Sequence, residues 1–76
     1  MSDSKEIKFE IVKRIGVIGP AGQGWTRELN LVSWNGRESK LDIRDWNEDH
    51  TRMGKGLTLT ADEAHTLKRL LGEVVD

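Results

Sequence analysis

The chain has 76 residues, with 12 basic and 13 acidic side chains and no cysteine. This length allows one domain, and so small a domain buries only about 60% of the surface that its unfolded chain exposes. The lack of cysteine excludes disulfides and thiolate metal sites. A net charge of -1 argues against a simple polybasic DNA binder, so any basic surface must come from side chains sorted onto one face. No apolar run reaches the length of a signal-peptide core or a membrane span, which predicts a cytoplasmic protein with no membrane partner.

The first half of the chain predicts two β-strands joined by a glycine-rich segment. Ile7, Phe9 and Ile11 alternate with charged residues, which is the period-two pattern of a strand. The run continues through Ile15, Val17 and Ile18, so the first strand is predicted to be long, with a bend at Gly16. Residues 19–24 combine one proline with three glycines, so we expect a turn or flexible loop there. A second strand is predicted from Trp25 to Trp34, where side chains of different character again alternate.

The second half predicts two further strands. Asn35-Gly36 is a turn signal between two strand-like segments, and the third strand is predicted from Lys40 to Trp46. Residues 47–53 are polar and predict a loop. The fourth strand is expected to be short and to contain Leu57 and Leu59.

One helix is predicted at the end of the sequence. Thr60-Ala61-Asp62-Glu63 matches a capping box, in which a hydroxyl and a carboxylate bind free backbone N–H groups. Apolar residues then recur at helical spacing, and they are Ala64, Leu67, Leu70, Leu71, Val74 and Val75. The stripe of Leu67, Leu70, Leu71 and Val74 is broad for so small a core, which predicts a homodimer with the helix in its interface. The order β-β-β-β-α predicts an α+β fold with a curved four-stranded antiparallel sheet, in one domain over residues 1–76.

Strand alternation gives the predicted sheet two different faces. The first, which we call the leucine face, carries Leu29, Leu31, Leu41 and Ile43. The second, which we call the polar face, carries Asn30, Val32, Trp34, Lys40, Asp42, Arg44 and Trp46. One helix can cover only one face. We therefore expect the helix on the leucine face, and Trp34 and Trp46 outside the core.

The tryptophans suggest a nucleic-acid ligand because each has an arginine nearby in the sequence. The pairs are Trp25 with Arg27, Trp34 with Arg37, and Trp46 with Arg44. Aromatic rings stack on exposed bases, each worth about 1–3 kcal/mol, while cations hold the phosphate backbone. The alternative is that the tryptophans are core residues, and this applies most to Trp25, whose parity matches the leucine face.

Two further features allow both a functional and a structural interpretation. Arg44 has Asp42 and Asp45 as near neighbours, so it can clamp a phosphate or stack on a base, or it can form an ion pair with a carboxylate. Gly54-Lys55-Gly56 places a lysine where the backbone can approach a ligand closely, or it forms only a turn. The sequence leaves both choices open.

Nothing in the sequence predicts catalysis. Residues 19–24 lack the Gly-Lys-Ser/Thr ending of a phosphate-binding loop. His50 and His65 have no histidine or cysteine partner at ligand spacing. No nucleophile and base stand in a recognisable arrangement. We expect a protein that is not an enzyme, with no catalytic residues, no metal, no cofactor and no small-molecule substrate.

Several segments carry a family resemblance. The strand 41–46 (Leu-Asp-Ile-Arg-Asp-Trp), a polar loop, the segment 54–60 (Gly-Lys-Gly-Leu-Thr-Leu-Thr) and a helix follow one another. This order resembles the transcriptional coactivator family named positive cofactor four, with its Ile-Asp-Ile-Arg-Glu-aromatic strand, loop, Lys-Gly-Ile-Ser-Leu strand and helix. The small bacterial branch, the YdbC-type proteins, is more similar still. The pieces similar to that branch include Lys8–Val12, Gly24-Trp25, Glu28–Asn30, Val32–Asn35, Asp42–Arg44 and Met53–Gly56.

The resemblance implies a homodimer whose C-terminal helices pack at the interface and whose two curved sheets form a groove for single-stranded DNA, with little sequence preference. Trp34 and Arg44 match family positions that contact DNA. The positions expected to bind nucleic acid are these two, Lys40, Trp46 and Lys55 beside them, and Trp25 and Arg27 by the bacterial branch alone. DNA and RNA both stay open as the ligand, as do transcription, replication and repair as the process. The alternative function is a dimeric protein-interaction module that uses the tryptophan-bearing face.

Overall fold

In a computed structural model, which describes residues 8–75, four antiparallel strands form one sheet and one helix follows. The elements are β1 (Phe9–Gly22), β2 (Trp25–Trp34), β3 (Lys40–Trp46), β4 (Met53–Leu59) and α1 (Ala61–Val74). The strands neighbour one another in sequence order, so β1 and β4 are the two edges. The predicted α+β architecture is confirmed. Its homodimeric state and its extent as one domain stay predictions, and the expected start of the first strand at Ile7 lies outside the described residues.

The first strand is longer than the sequence indicated. It continues through Pro20 to Gly22, and only Gln23 and Gly24 form the turn, so the prediction of a loop from residue 19 is wrong. Pro20 is tolerated because β1 is an edge strand, where a missing N–H need not break a ladder. The register of β1 against β2 also shifts four times. Such bulges bend a strand and increase its twist.

The fourth strand is longer too, because it begins at Met53 rather than near Leu57. Between the pairs Arg44↔Gly56 and Trp46↔Met53, one residue of β3 faces two residues of β4. The Gly-Lys-Gly segment is therefore a bulged strand and not a turn. A Cβ at Gly56 would collide with the Arg44 side chain and the Ile43 carbonyl oxygen, so only glycine lets β4 pass this close to β3.

The helix begins as the sequence predicted. The Thr60 hydroxyl accepts a hydrogen bond of 3.1 Å from the Glu63 backbone N–H. The Glu63 carboxylate accepts one of 2.9 Å from the Thr60 backbone N–H. The capping box is confirmed, and it fixes where the chain leaves β4 and turns across the leucine face.

The faces of the sheet follow the predicted alternation. Leu29 lies opposite Ile43 and Leu31 opposite Leu41, while Asn30 lies opposite Asp42. Ala64, Leu67 and Leu71 of α1 share an apolar groove with residues of the leucine face. The helix therefore lies on the expected side of the sheet.

The buried core, however, is on the polar face. Val32 and Trp46 are completely buried, and the buried polar residues are Glu28, Asn30 and Asp42. Leu29, Leu31, Leu41 and Ile43 are only half-buried, and α1 contains no buried residue. The expectation that the leucine face forms the core and leaves the polar face open is wrong.

Curvature of the sheet explains this inversion. Phe9 pairs with Trp34 at one end of β2, whereas Trp46 pairs with Thr26 near the other end. Eight residues of extended strand span roughly 26 Å. Yet the Phe9 ring centroid lies 6.1 Å from that of Trp34 and 5.2 Å from that of Trp46. The polar face is thus concave, and its side chains pack against one another.

Candidate nucleic-acid interface

Arg44 is held on the concave polar face by a buried carboxylate. Its Nε and Nη2 atoms donate to Oδ1 and Oδ2 of Asp42 over 2.8 and 2.9 Å. Asp42 is completely buried and also accepts a 3.1 Å hydrogen bond from the Thr58 hydroxyl. The Arg44 side chain is 15% exposed. Asp42 is therefore the ion-pair partner that the sequence left open, and this two-point geometry fixes the plane of the guanidinium.

Asp45, the other candidate partner of Arg44, pairs elsewhere. Its carboxylate accepts a 2.8 Å hydrogen bond from Arg27 Nε, and the two residues face each other across β2 and β3. Half of the Arg27 side chain is exposed, at 52%. An ion pair this open contributes little to stability. Arg27 can release Asp45 and meet an anionic ligand at small cost.

Arg44 also covers an aromatic ring. The guanidinium carbon lies 4.9 Å from the centroid of the Trp34 ring, within the range of a cation–π contact. Its Nη1 donates to the Gly54 carbonyl oxygen over 3.2 Å. Trp34 is itself half-buried. The two side chains therefore lie one over the other, and we call this pair the Arg44–Trp34 platform.

Trp46 does not lie where the sequence predicted. Its side chain is completely buried, between the Phe9 ring and the His50 ring, whose centroid is 5.5 Å away. Within residues 8–75 no acceptor reaches its indole N–H, and the same is true of Trp34. A covered ring cannot stack on a base, so the expectation that Trp46 lies outside the core is wrong.

The remaining predicted residues fall into two groups. Lys40 is exposed and pairs with Val32 at the start of β3, with the register of the polar face. Lys55 is exposed in the β4 bulge. Trp25 and Arg27 follow the parity of the leucine face, and the Trp25 ring packs near Gly54. The structure thus brings Trp34 and Arg44 into contact, keeps Lys40 on the same face of the sheet by its strand register, and places Trp25 and Arg27 on the other side.

Sequence reasoning missed a polar network beside the platform. Buried Glu28 accepts hydrogen bonds from Thr26 at 2.6 Å, from Asn30 at 3.1 Å and from His50 at 2.9 and 3.1 Å. Burial acts to raise the pKa of Glu28, but the hydrogen bonds from Thr26, His50 and Asn30 outweigh it and lower that pKa below its ordinary value. The alternation of β2 could have placed Glu28 and Asn30 on this face. Nothing in the sequence pointed to His50.

His50 reaches Glu28 because the β3–β4 loop folds back over the polar face. Its backbone has a φ of 60°, a conformation that few residues other than glycine adopt. Asn47 ties the loop together, since its Oδ1 accepts from the Arg52 backbone N–H at 2.9 Å and its Nδ2 donates to the Thr51 hydroxyl at 3.0 Å. This loop therefore closes the Trp46 end of the concave surface.

Residues 21–70 match the family described as Transcriptional Coactivator p15 (PC4). The chain belongs to this family. It is a DNA-binding family without enzymatic activity, whose members bind single-stranded nucleic acid and form dimers. The resemblance seen in the sequence is confirmed, while the assignment to the YdbC-type branch stays a prediction.

Two bacterial proteins are similar over almost the whole chain. A protein of Treponema pallidum (strain Nichols), described as uncharacterized, is 42% identical over 69 residues, which are 91% of this chain and 81% of that protein. The tungstate uptake system ATP-binding protein TupC of Peptoclostridium acidaminophilum is 30% identical over 71 residues. Those residues make up 93% of this chain but only 33% of TupC. In residues 8–75, no helix is both long and apolar enough to cross a membrane.

Proposed function

We propose that the chain binds single-stranded DNA or RNA, with little overall sequence specificity, on the concave polar face of a homodimer. The observation that carries this proposal is the Arg44–Trp34 platform, whose guanidinium is 4.9 Å from the indole centroid and is held in plane by buried Asp42. Flat aromatic and guanidinium surfaces bind bases without selecting among them, because every base has a π-face. Family membership supports the same ligand class.

The proposed contacts divide by chemistry. The Arg44 guanidinium stacks on a base with the Trp34 ring behind it, because the Arg44 charge is already balanced by Asp42. Lys40 and Lys55 are exposed and without a salt bridge in the described residues, so they are suited to phosphates. Trp46 supports the platform from beneath, through Phe9, rather than touching a base.

Trp25 and Arg27 form a separate proposed contact. They lie toward the turn end of β2, on the side opposite the platform. A nucleic-acid strand that leaves the concave face can reach Trp25 and Arg27 only by passing around this end of the sheet. We therefore assign them a secondary role, in which Arg27 exchanges Asp45 for a phosphate.

The homodimer is supported by the leucine face. An apolar groove of about 470 Å³ runs between α1 and this face, and its walls include Leu29, Ile43 and Leu67. Leu70 and Leu71 of α1 are about half exposed, at 47% and 49%. A second copy of the chain would bury this surface, which the single helix leaves open.

Docking of a protein partner, on the edge strand β1 rather than on the tryptophan-bearing face, is favoured by one observation. The edge strand β1 exposes four large apolar side chains at 45–63%, and they are Val12, Ile15, Val17 and Ile18. An extended apolar strand at a sheet edge is a surface that partner chains can use. The repeated bulges of β1 oppose regular pairing there, which makes nucleic-acid binding the better-supported function.

Fluorescence titration with single-stranded DNA, single-stranded RNA and duplex DNA of equal length tests the proposal. Stacking needs exposed base faces, which a duplex hides. The single strands should bind at least about tenfold more tightly than the duplex, a preference of about 1.4 kcal/mol. Binding should also weaken steeply with salt, because phosphate neutralisation releases counterions. Equal affinity for single strands and duplex would contradict the stacking model.

A further inference from the structure

Arg14 is an exposed basic residue of the edge strand β1 that lies on the concave polar face. In the register of the sheet it pairs with Asn30, which in turn pairs with Asp42, and both of these residues belong to that face. The adjacent Lys13 pairs with Leu31 of the leucine face. Paired residues of neighbouring strands project to the same side of a sheet. Of these two adjacent cations, Arg14 is therefore the one that shares a face with the platform.

A cavity of about 380 Å³ opens beside Arg14 on the polar face. Its walls include Val17 of β1, Glu28 of β2 and His50 of the β3–β4 loop. Cavities that hold small organic groups begin at about 300 Å³. Glu28 pairs with Arg44 across β2 and β3, so the cavity lies on the neighbouring strands, one step across the sheet from Arg44. It leaves room for a nucleotide between the platform and Arg14.

The charge of Arg14 is available to a ligand. Within residues 8–75 its guanidinium forms no salt bridge. Glu28 lines the same cavity, but its carboxylate oxygens accept hydrogen bonds from Thr26, Asn30 and His50, and the residue is only 5% exposed. An exposed guanidinium without a carboxylate partner can bind phosphate oxygens through two parallel N–H groups. Arg14 thus differs from Arg44, whose charge is already paired.

We propose that Arg14 binds a phosphate of the single strand, which therefore runs across the sheet from β4, over the platform, to the β1 edge. The inference rests on the proposed function and adds to it the direction of the bound strand. Arg14 is two strands and two residues away from Arg44 in the register, which is about 12 Å, and a short piece of a single strand can span this distance. Lys55 lies on the opposite edge strand, β4. Arg14 is outside residues 21–70, which match the family, so family membership does not supply this contact.

Salt dependence of oligo-dT binding tests the phosphate contact. Arg14→Ala should lower the slope of log affinity against log salt by about 0.7 for each chain that the strand contacts, whereas Arg14→Lys should keep the slope. Lys13→Ala is the matched control, because it removes the same charge from the adjacent exposed residue on the opposite face, and it should leave the slope unchanged. Equal slopes for Arg14→Ala and Lys13→Ala would overturn the inference and leave the proposed function in place. Failure of the parent protein to bind oligo-dT would overturn both.

A negative charge placed in the cavity tests the direction of the strand. Val17 lines the cavity and is 63% exposed, whereas Val12 is 51% exposed and is not among the cavity walls. Val17→Glu sets a carboxylate beside Arg14, where the phosphates are proposed to pass. It should weaken oligo-dT binding about fivefold more than Val12→Glu, which is the effect of two unit charges about 4 Å apart in water. Both positions are exposed, so both variants should fold. Equal losses of affinity would overturn the inference, because a strand that runs along β2 and β3 does not pass Val17.

Discussion

The guanidinium of Arg44 lies 4.9 Å from the centroid of the Trp34 ring, although these residues come from positions well separated along neighbouring strands. In the β2–β3 register, Arg44 faces Glu28, and Trp34 lies six residues further along β2. The contact exists because the sheet curls toward its polar face. This curvature brings side chains of β2 and β3 together in the Arg44–Trp34 platform. Asp42, which holds Arg44, is therefore both a structural and a functional residue.

Loss of Arg44 should reduce the stability of the fold, apart from any effect on ligand binding. Arg44→Ala would leave the completely buried Asp42 carboxylate unpaired, which costs about 3–5 kcal/mol. Arg44→Lys keeps the charge but cannot form the two parallel hydrogen bonds to Asp42, so it should lower the melting temperature less. Thermal unfolding of both variants measures these effects.

Salt dependence of binding then defines the role of Arg44 toward the ligand. If it stacks on a base, folded Arg44→Lys should bind more weakly with an unchanged slope of log affinity against log salt. Lys40→Ala should reduce that slope by about 0.7, the single-strand value for one phosphate contact. A reduced slope for Arg44→Lys would show that the arginine contacts a phosphate instead.

Trp46 and Trp34 should respond differently to replacement by alanine. Trp46 is completely buried between Phe9 and His50, so Trp46→Ala should destabilise the fold by about 3–5 kcal/mol. Trp34 is only half-buried, and Trp34→Ala should keep the fold and weaken single-strand binding by about 1–3 kcal/mol. Denaturant unfolding and fluorescence titration of both variants provide the measurement. Equal losses of stability in the two would contradict this division of roles.

The sequence could predict the elements and the side on which the helix lies, but not which face of the sheet is buried. The alternation of β2 and β3 is regular, so the residues of each face were assigned correctly from it. Which face is buried depends on curvature, which comes from bulges in β1 and from Phe9 meeting Trp46. Neither the bulges nor the contact of Phe9 with Trp46 follows from residues that are neighbours in the sequence. Pro20 likewise led to the prediction of a loop. Its place in an edge strand, where proline is tolerated, is known only once the strand order is known.

The two glycines that flank Lys55 should differ in their tolerance of a methyl group. A Cβ at Gly56 collides with the Arg44 side chain and with the Ile43 carbonyl oxygen. Gly56→Ala should therefore destabilise the fold by about 1–3 kcal/mol, as overpacking does, and should disturb the platform. A Cβ at Gly54 meets only ordinary contacts of 3.5 Å with Asp45 and 3.7 Å with Trp25, so Gly54→Ala is the matched control. Equal melting temperatures for the two variants would refute this close approach of β4 to β3.

The Glu28 network should make stability depend on acid pH. The pKa of Glu28 is lowered from an ordinary value of 4.5, so the folded protein favours the ionised carboxylate. Its contribution to the free energy of unfolding is full above about pH 4.5 and is lost as the pH falls through the lower folded pKa. Glu28→Gln should flatten this acid limb in melting curves recorded from pH 7 to pH 3. Exposed Asp49, whose pKa is lowered mainly by the Thr51 hydroxyl, supplies the control variant Asp49→Asn, which should leave more of the limb in place.

The apolar groove beside α1 should be the surface through which two chains associate. Leu71 lines this groove and is 49% exposed, so Leu71→Glu would place a charge in a surface that a second copy is proposed to bury. We expect light scattering to give a dimeric mass for the parent protein at micromolar concentration and a monomeric mass for Leu71→Glu. Val75→Glu, at a position 61% exposed that does not line the groove, is the matched control and should remain dimeric. A parent protein that stays monomeric throughout the micromolar range would remove the dimer from the proposal, and the groove would then need a different occupant.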